Sequence, residues 1–291
     1  MMTTFKLGDL TVHRIIEAEE PYYDPFTFFP KLTKELFEEN RHWLEPKAID
    51  PATGMIVLCI QSYVVRTPQH TILIDSCVGD HKDRPDKPHW HQKSTGQYMR
   101  SLAQAGLTPE DIDFVMCSHL HVDHVGWNTK LENGRWVPTF PNARYIFSEK
   151  EFEYWTERHA KDPIHYVADS ILPVFEAKLV DLVRSDHQLD DHIHLEPTPG
   201  HSIDHFAVHV QDMGRRAVMT GDLLHSPLQA RYPELIMRAD YDPEQGGRTR
   251  RRFLETHCDT DTLICTIHFP SPSVGRITRW GEGFRFNPVT D

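Results

Sequence analysis

Short apolar runs separated by polar stretches recur along the 291-residue chain. Residues 5–7 and 10–16 flank Gly8-Asp9 and predict a β-hairpin. Apolar runs bounded by turn residues predict strands that are buried in a core. Strands are therefore predicted at 55–65, 71–74, 112–117, 131–137 (a hairpin around Asn133-Gly134), 143–147, 193–195, 205–210, 216–219, 263–267, 276–280 and 284–286.

Helical spacing of apolar residues occurs between several of these strands. Ser148 and Glu151 resemble a capping box, which marks the first turn of a helix. Pro173 interrupts a longer helical pattern, because proline removes a backbone hydrogen bond from a helix interior. Helices are predicted at 33–43, 95–105, after Ser148, at 164–182 and at 243–257.

Residues 17–30 are predicted to be irregular, since Pro21, Pro25 and Pro30 disfavour both helix and sheet. The segment nevertheless contains five aromatic residues. Exposed aromatic clusters are rarely left in water, so a lid over a pocket or a dimer contact is expected. A loop packed on the core is the alternative. The aromatic residues are Tyr22, Tyr23, Phe26, Phe28 and Phe29.

Strands followed by helices occur twice along the chain, which is typical of a layered α/β fold. Neither a linker nor a low-complexity tract interrupts the pattern. We therefore expect a single domain over residues 1–291, with an N-terminal extension of about 50 residues that forms the lid or the dimer contact.

The formal net charge is −12 with histidine neutral. Such a chain repels phosphate backbones, which argues against a nucleic-acid partner. The five cysteines include no Cys-x-x-Cys pair, so no disulfide framework is expected. Cys59, Cys117 and Cys265 lie in apolar runs and are predicted to be buried thiols.

No apolar segment approaches membrane-spanning length, and residues 1–9 lack the pattern of a signal peptide. The chain is therefore expected to be cytoplasmic and without a membrane partner. The predicted helix at 243–257 carries four arginines, which are expected to lie on a solvated face. They are Arg248, Arg250, Arg251 and Arg252.

A His-x-His-x-Asp-His run follows the predicted strand at 112–117. Residues two apart on an extended chain share a face, so His119 and His121 point the same way. Gly126 permits a sharp turn that would hold Asp123 and His124. Imidazole and carboxylate together are the donors that zinc, iron or manganese accepts. The run therefore predicts a metal site.

Three later residues also follow predicted strands or turns. His201 comes after Pro199-Gly200, Asp222 follows the strand at 216–219, and His268 follows the strand at 263–267. Polar residues often end strands, so each position alone is weak evidence for a ligand. Together with the His-rich run they suffice for two metal ions.

These motifs, in this order, resemble the metallo-β-lactamase superfamily. The match runs from the His-rich run through Pro-Gly-His-Ser and Thr-Gly-Asp to His268, and the strand-ending Asp75 fits an early superfamily motif. The resemblance covers about two-thirds of the chain. It implies an αββα sandwich with a binuclear metal site at one edge of two sheets.

The resemblance also implies the role of each ligand. His119, His121 and His201 would bind the first metal. Asp123, His124 and His268 would bind the second, and Asp222 would bridge the two. Aspartate rather than cysteine in the second site departs from many true β-lactamases. The implied cofactors are two divalent ions, zinc first, with iron, manganese or cobalt as alternatives.

A binuclear site of this kind implies a hydrolase in which a metal-bridging hydroxide attacks a carbonyl or phosphoryl centre. Asp123 could also carry a proton to the leaving group, so it is a candidate catalytic residue. His225 is a second candidate, for orienting the substrate or protonating the leaving oxygen.

The sequences around the ligands resemble two related groups, the quorum-quenching N-acyl homoserine lactonases and the methyl parathion hydrolase group of phosphotriesterases and arylesterases. Trp127, His225 and Phe269 lie next to ligands and are predicted to line the substrate pocket, together with Phe28. Packing behind the ligands is the alternative for the first three. The expected substrate is a small lactone or ester, with phosphotriesters as a side activity.

Other classes remain open. A glyoxalase II-like thioester hydrolase would share the ligands, but the tail from Val274 is predicted to be strand rather than a helical glutathione site. A primary organophosphate hydrolase is the second alternative. A metal-stabilised binding protein is the non-enzymatic one. The aromatic segment leaves a homodimer open as well.

Overall fold

Strands dominate the computed structural model, which describes residues 3–289. In chain order they are β1 (Thr4–Leu7), β2 (Leu10–Tyr23), β3 (Ile56–Arg66), β4 (Thr71–Ile74), β5 (Phe114–Met116), β6 (Thr129–Glu132), β7 (Arg135–Pro138), β8 (Arg144–Ser148), β9 (Val180–Val183), β10 (Ile193–Pro197), β11 (Phe206–Asp212), β12 (Arg215–Met219), β13 (Leu263–Cys265), β14 (Val274–Trp280) and β15 (Gly283–Pro288).

The helices are shorter and lie between the strands. They are α1 (Pro25–Phe28), α2 (Lys34–Leu44), α3 (Gln97–Gln104), α4 (Glu149–Lys161), α5 (Leu172–Glu176), α6 (Pro227–Arg231) and α7 (Pro243–His257). Single 3-10 turns occur at Pro109–Asp111, Gly126–Asn128 and Gly221–Leu223, and a π-helical turn at Val167–Ile171. No helix of this described part is both long and apolar enough to cross a membrane.

The chain divides into two compact units. Residues 3–18 and 60–187 form the unit that we call the first, and residues 19–59 and 188–289 form the second. The sequence predicted a single domain over residues 1–291, and this stays a prediction.

A seven-stranded sheet, in the order β1-β2-β3-β4-β5-β8-β9, belongs largely to the first unit. Its last four strands are parallel, and one row of residues, Leu73, Val115, Tyr145 and Val180, runs across them in register. Loops that follow parallel strands emerge at the same edge of a sheet. Asp75 and the His-rich run follow β4 and β5, so this edge brings them together.

The second unit carries a six-stranded sheet in the order β10-β11-β12-β13-β14-β15. Only β12 and β13 run parallel, and all the other neighbours are antiparallel. Phe253 and Leu254 of α7 are buried in a core with residues from β12 to β15. Asp222 follows β12 and His268 follows β13, so these two residues leave the sheet at one edge.

Most predicted elements are confirmed, including the first hairpin, the α2 and α7 helices and the strands of the second unit. Ser148 caps α4 by accepting a hydrogen bond from the Glu151 amide, as the capping-box resemblance indicated. Cys59, Cys117 and Cys265 are fully buried, as expected.

Residues 17–30 are more regular than predicted. β2 continues to Tyr23 through Pro21, because the φ of proline fits a strand wherever its missing N–H is not needed. Pro25 then opens α1, since proline is well tolerated in the first turn of a helix. The irregular segment that the sequence predicted is thus a strand followed by a helical turn.

Two further predictions were wrong. Residues 180–183 form strand β9 rather than the end of a helix, because they pair in parallel with β8. Arg250 is not solvated but buried, and its guanidinium donates to the carbonyl oxygens of Leu223, Pro233 and Leu235. Buried cations persist when such bonds replace water.

Candidate functional site

The His-rich run begins directly after β5 in the first unit. His119 and His124 are fully buried, and their ring centroids are 4.1 Å apart. The ring centroids of His119 and His121 are 4.4 Å apart. The side chain of His121 is half-buried and packs edge-on against Trp155. Three imidazoles within a few ångströms of one another form a concentrated set of nitrogen donors.

Asp75 contacts residues at both ends of this run, Ser118 and His124. Its carboxylate accepts hydrogen bonds from the backbone N–H of Ser118 at 2.8 Å and from the Ser118 hydroxyl at 3.0 Å. One carboxylate oxygen also lies 3.0 Å from His124 Nδ1. A carboxylate this close to Nδ1 favours the tautomer with its proton there, in which Nε2 would be the metal-binding nitrogen.

Gly126 ends the run where two backbone segments meet. A Cβ at this position would lie 1.8 Å from the carbonyl oxygen of Val78, so only glycine fits. The sequence predicted a glycine turn here, and the close backbone approach explains why a glycine is needed.

His201 is the first of the three predicted ligands in the second unit. It follows Gly200, whose φ of +134° and close approach to Gly246 both require glycine. His201 Nδ1 donates to Asp240 Oδ1 at 3.0 Å. Burial lowers the pKa of His201, but the carboxylates of Asp222 and Asp240 outweigh burial and raise it to about 9. The position thus attracts a cation.

Asp222 places its two oxygens beside different imidazoles. Oδ2 lies 3.2 Å from His201 Nε2 and 3.1 Å from His225 Nε2, whereas Oδ1 lies 2.9 Å from His268 Nε2. His268 Nδ1 donates to the carbonyl oxygen of Cys59 at 3.0 Å, so the Nε2 of the neutral ring is free of a proton. The backbone N–H of Asp222 donates to His205 Nε2 at 3.0 Å.

Each unit holds part of the set of seven predicted ligands. The first unit holds His119, His121, Asp123 and His124, and the second holds His201, Asp222 and His268. Nitrogen and carboxylate donors of these kinds suit zinc or a similar divalent ion. The donor chemistry of each unit therefore fits divalent metal ions, and the pairing of the two sets in one binuclear centre stays what the resemblance implies.

The predicted pocket residues have different surroundings. His225 is buried beside Asp222, stacks on His268 with a centroid distance of 5.5 Å, and meets the edge of Phe28 at 5.7 Å. Burial lowers the pKa of His225, and the carboxylate of Asp222 opposes that shift. His225 and Phe28 thus lie close to a predicted ligand.

Trp127 and Phe269 are held by packing. The Trp127 ring stacks on Tyr98 at 5.2 Å, and its Nε1 donates to Glu17 at 2.6 Å. Phe269 is buried in the core of the second unit and meets Phe286 edge-on at 5.0 Å. These contacts favour the alternative of packing behind the ligands, and substrate contact by these two residues stays a prediction.

Residues that orient the ligands were largely missed in the sequence. Asp240 and His205 carry no recognisable motif, since each lies in a polar turn far along the chain from its partner. The carbonyl group of Cys59 cannot be foreseen because any residue supplies one. Asp75 was noted as a strand-ending aspartate, but its contact with His124 was not predicted.

Comparison with known proteins supports the resemblance. Residues 59–266 match the model of the metallo-beta-lactamase superfamily. The N-acyl homoserine lactonase AiiA of Bacillus thuringiensis subsp. kurstaki is 25% identical over 155 residues, which are 53% of this chain and 54% of AiiA. The chain thus matches about half the length of this curated relative.

Two solved structures superpose on nearly the whole chain. One is AidC, a dizinc quorum-quenching lactonase in complex with a homoserine product, at 22% identity and a TM-score of 0.83, covering 99% of this chain and 97% of AidC. The other is the hydrolase AbOPH of the beta lactamase superfamily, at 21% identity, with the same TM-score and coverage. The two structures share the fold of this chain, and the match of residues 59–266 to the family model shows that the chain belongs to the metallo-β-lactamase superfamily.

Proposed function

We propose that this protein is a binuclear metallohydrolase that opens lactones or cleaves related esters. The observation that carries the proposal is the position of Asp222. Its two oxygens lie beside His201 and His268, which the resemblance assigns to different metal ions. A carboxylate placed in this way can bridge two ions, as the resemblance implied for Asp222.

Two divalent ions, zinc first, would activate water near neutral pH and polarise the carbonyl oxygen of the substrate. His119, His121 and His201 would hold one ion, and Asp123, His124 and His268 the other, with Asp222 shared. Asp75 and Asp240 act through His124 and His201, whose Nδ1 atoms they engage. They would hold those rings with Nε2 turned toward a bound cation.

Asp123 and His225 are the candidates for proton transfer. Asp123 is half-buried, so its carboxylate is in contact with solvent. His225 Nε2 lies 3.1 Å from Asp222 Oδ2, so the ring is placed to hold that carboxylate in orientation. A direct contact of His225 with the leaving oxygen would be a further role.

The proposed substrate is a lactone or ester with an apolar acyl or aryl group. Phe28 lies against His225 and offers an apolar contact near the predicted ligand Asp222. The described C-terminal strands β14 and β15 form a hairpin, which disfavours a helical glutathione site of the glyoxalase II kind. Relatives named as N-acyl homoserine lactonases make acylated homoserine lactones the first substrates to examine. Quorum quenching would follow from that activity.

A substrate screen tests the proposal directly. The full chain, loaded with zinc, is assayed against N-acyl homoserine lactones, simple lactones, aryl esters, a phosphotriester, a glutathione thioester and a β-lactam, with metal content measured in parallel. We expect lactones and aryl esters to be hydrolysed fastest and phosphotriesters slowly. Faster turnover of the β-lactam or the thioester than of every lactone and ester would contradict the assignment.

A further inference from the structure

Three side chains in the second unit form a separate cluster of metal-binding type. The ligand atoms of Glu196, His209 and His257 lie within 4.8 Å of one another. His209 Nε2 is 2.7 Å from Glu196 Oε2, and the ring centroids of His209 and His257 are 5.9 Å apart. None of these residues belongs to the seven predicted ligands.

The sheet and α7 together build this cluster. His209 of β11 lies opposite His194 of β10 in antiparallel register, and Glu196 lies two residues further along the same face of β10. His257 is the last residue of α7, where packing against Phe253 at a centroid distance of 4.5 Å fixes its ring. Regular elements therefore aim all three side chains at one place.

His257 has an unsatisfied nitrogen. The residue is only 8% exposed, and its Nε2 is buried with no hydrogen-bond partner in the described structure. A buried polar atom without a partner destabilises the folded state, so natural proteins seldom retain one without a reason. A cation bound between His257 and its two neighbours would satisfy this atom.

We propose that Glu196, His209 and His257 bind a further divalent transition-metal ion, of which zinc is the best fit. Two imidazoles and one carboxylate supply three of four tetrahedral positions, and water fills the fourth. Glu196 and His209 are partly exposed, which gives an ion access from solvent. Without metal, His209 Nε2 donates to Glu196, and on binding that proton must move to Nδ1 of the same ring.

The expected role of this ion is structural. Thr249 of α7 donates to the carbonyl oxygen of Pro199 at 2.9 Å, next to the Gly200 that precedes His201. A metal that ties the end of α7 to β10 and β11 would therefore also steady the turn that carries His201. Ions that bind only the folded chain stabilise it in proportion to their affinity.

Zinc counting on the full-length chain tests the site. The wild-type protein, stripped with a chelator and titrated with Zn²⁺ against a chromophoric competitor, is compared with His257→Phe and Glu196→Gln. His192→Gln is the matched control, because His192 lies beside β10 but outside the cluster. Thermal unfolding of each variant is recorded with and without zinc.

We expect His257→Phe to bind one zinc ion fewer than wild type and to lose part of the thermal stabilisation by zinc. Glu196→Gln should weaken that one ion by about 10–100-fold or more, and His192→Gln should match wild type. Wild-type zinc number and affinity in both cluster variants would overturn the proposal. If His257→Phe does not fold, the half-exposed Glu196→Gln decides by the same criterion.

Discussion

The two units supply their predicted ligands in contrasting ways. The first unit contributes His119, His121, Asp123 and His124 from one short loop after β5. The second unit contributes His201, Asp222 and His268 from three separate strand ends, held by partners such as Asp240 and the carbonyl group of Cys59. A local motif can be recognised by its spacing, whereas a dispersed set depends on the packing of the whole unit.

The second unit also places one carboxylate among several imidazoles. Its Asp222 carboxylate lies beside three imidazoles, those of His201, His225 and His268. Removing this one group should therefore damage the site more than removing any single ligand of the first unit. The predictions below test this difference, beginning with the largest expected effect.

Asp222→Ala should reduce lactone hydrolysis by about three orders of magnitude or more, because the shared carboxylate would hold both ions. Zinc content should fall in parallel. His121→Ala in the first unit should lose activity as well but retain more of the bound metal. Steady-state rates and elemental analysis check both variants.

Asp191→Ala is the control for Asp222→Ala, because Asp191 is an exposed aspartate of the second unit. This variant should keep wild-type activity. Full metal content together with full activity in Asp222→Ala would remove its bridging role.

Gly126→Ala and Gly200→Ala test the backbone of each ligand loop. A Cβ would overlap backbone atoms at 1.8 Å in the first case and 2.3 Å in the second. Each should cost about 3 kcal/mol of folding stability or more, measured by denaturant unfolding.

Gly106→Ala and Gly54→Ala are the controls within the same two units. Both positions have a positive φ but open space around the added Cβ, so only the backbone cost of about 1 kcal/mol is expected. Equal losses at all four glycines would mean that close backbone approach does not shape the ligand loops.

Asp75→Asn and Asp240→Asn compare the carboxylates behind the ligands. Each aspartate accepts one backbone N–H and lies 3.0 Å from the Nδ1 of one histidine. Each isosteric change should weaken zinc binding by about 10–100-fold, because the amide can place a donor against the ring N–H. Competition with a chromophoric chelator measures the affinity, and an unchanged affinity would reduce the aspartate to a structural role.

Phe28→Ala should have the smallest effect. Phe28 touches the edge of His225 and stacks on Tyr23 at 5.2 Å, so its loss should alter the preference among acyl chains by a few-fold and leave metal content unchanged. The ratio of kcat/KM for short and long acyl lactones is the measurement. Size-exclusion chromatography of the same variant tests the dimer contact predicted for this segment.

Much of the fold was predictable because apolar strands and helix caps are local signals. Thr33 caps α2 and Asp242 caps α7 through side-chain bonds to backbone N–H groups three residues on. The seven candidate ligands were also proposed from sequence, since each follows an apolar run or a glycine turn, and they stay a prediction. Their assignment to two metal ions came from the resemblance, because spacing alone carries no information on residues 77 positions apart, such as His124 and His201.

The predictions that were wrong concern residues whose structure depends on contacts distant in sequence. Residues 180–183 are a strand only because β8 offers them an edge, and their helical pattern gave no hint of that pairing. Arg250 looked like the other arginines of α7 until the carbonyl groups around it were known. Local patterns carry no information on such partners.

The bonds of Arg250 have a consequence for the order of assembly during translation. The carbonyl group of Leu223 gains its partner only when residue 250 has been made, and the neighbouring Asp222 meets His268 later still. The last residue of the first unit is 187, whereas the second combines residues 19–59 with segments made after that point. We therefore expect the nascent chain to complete the loop of His119 to His124 well before Asp222 is fixed, so that zinc capture at the shared carboxylate is a late event in synthesis.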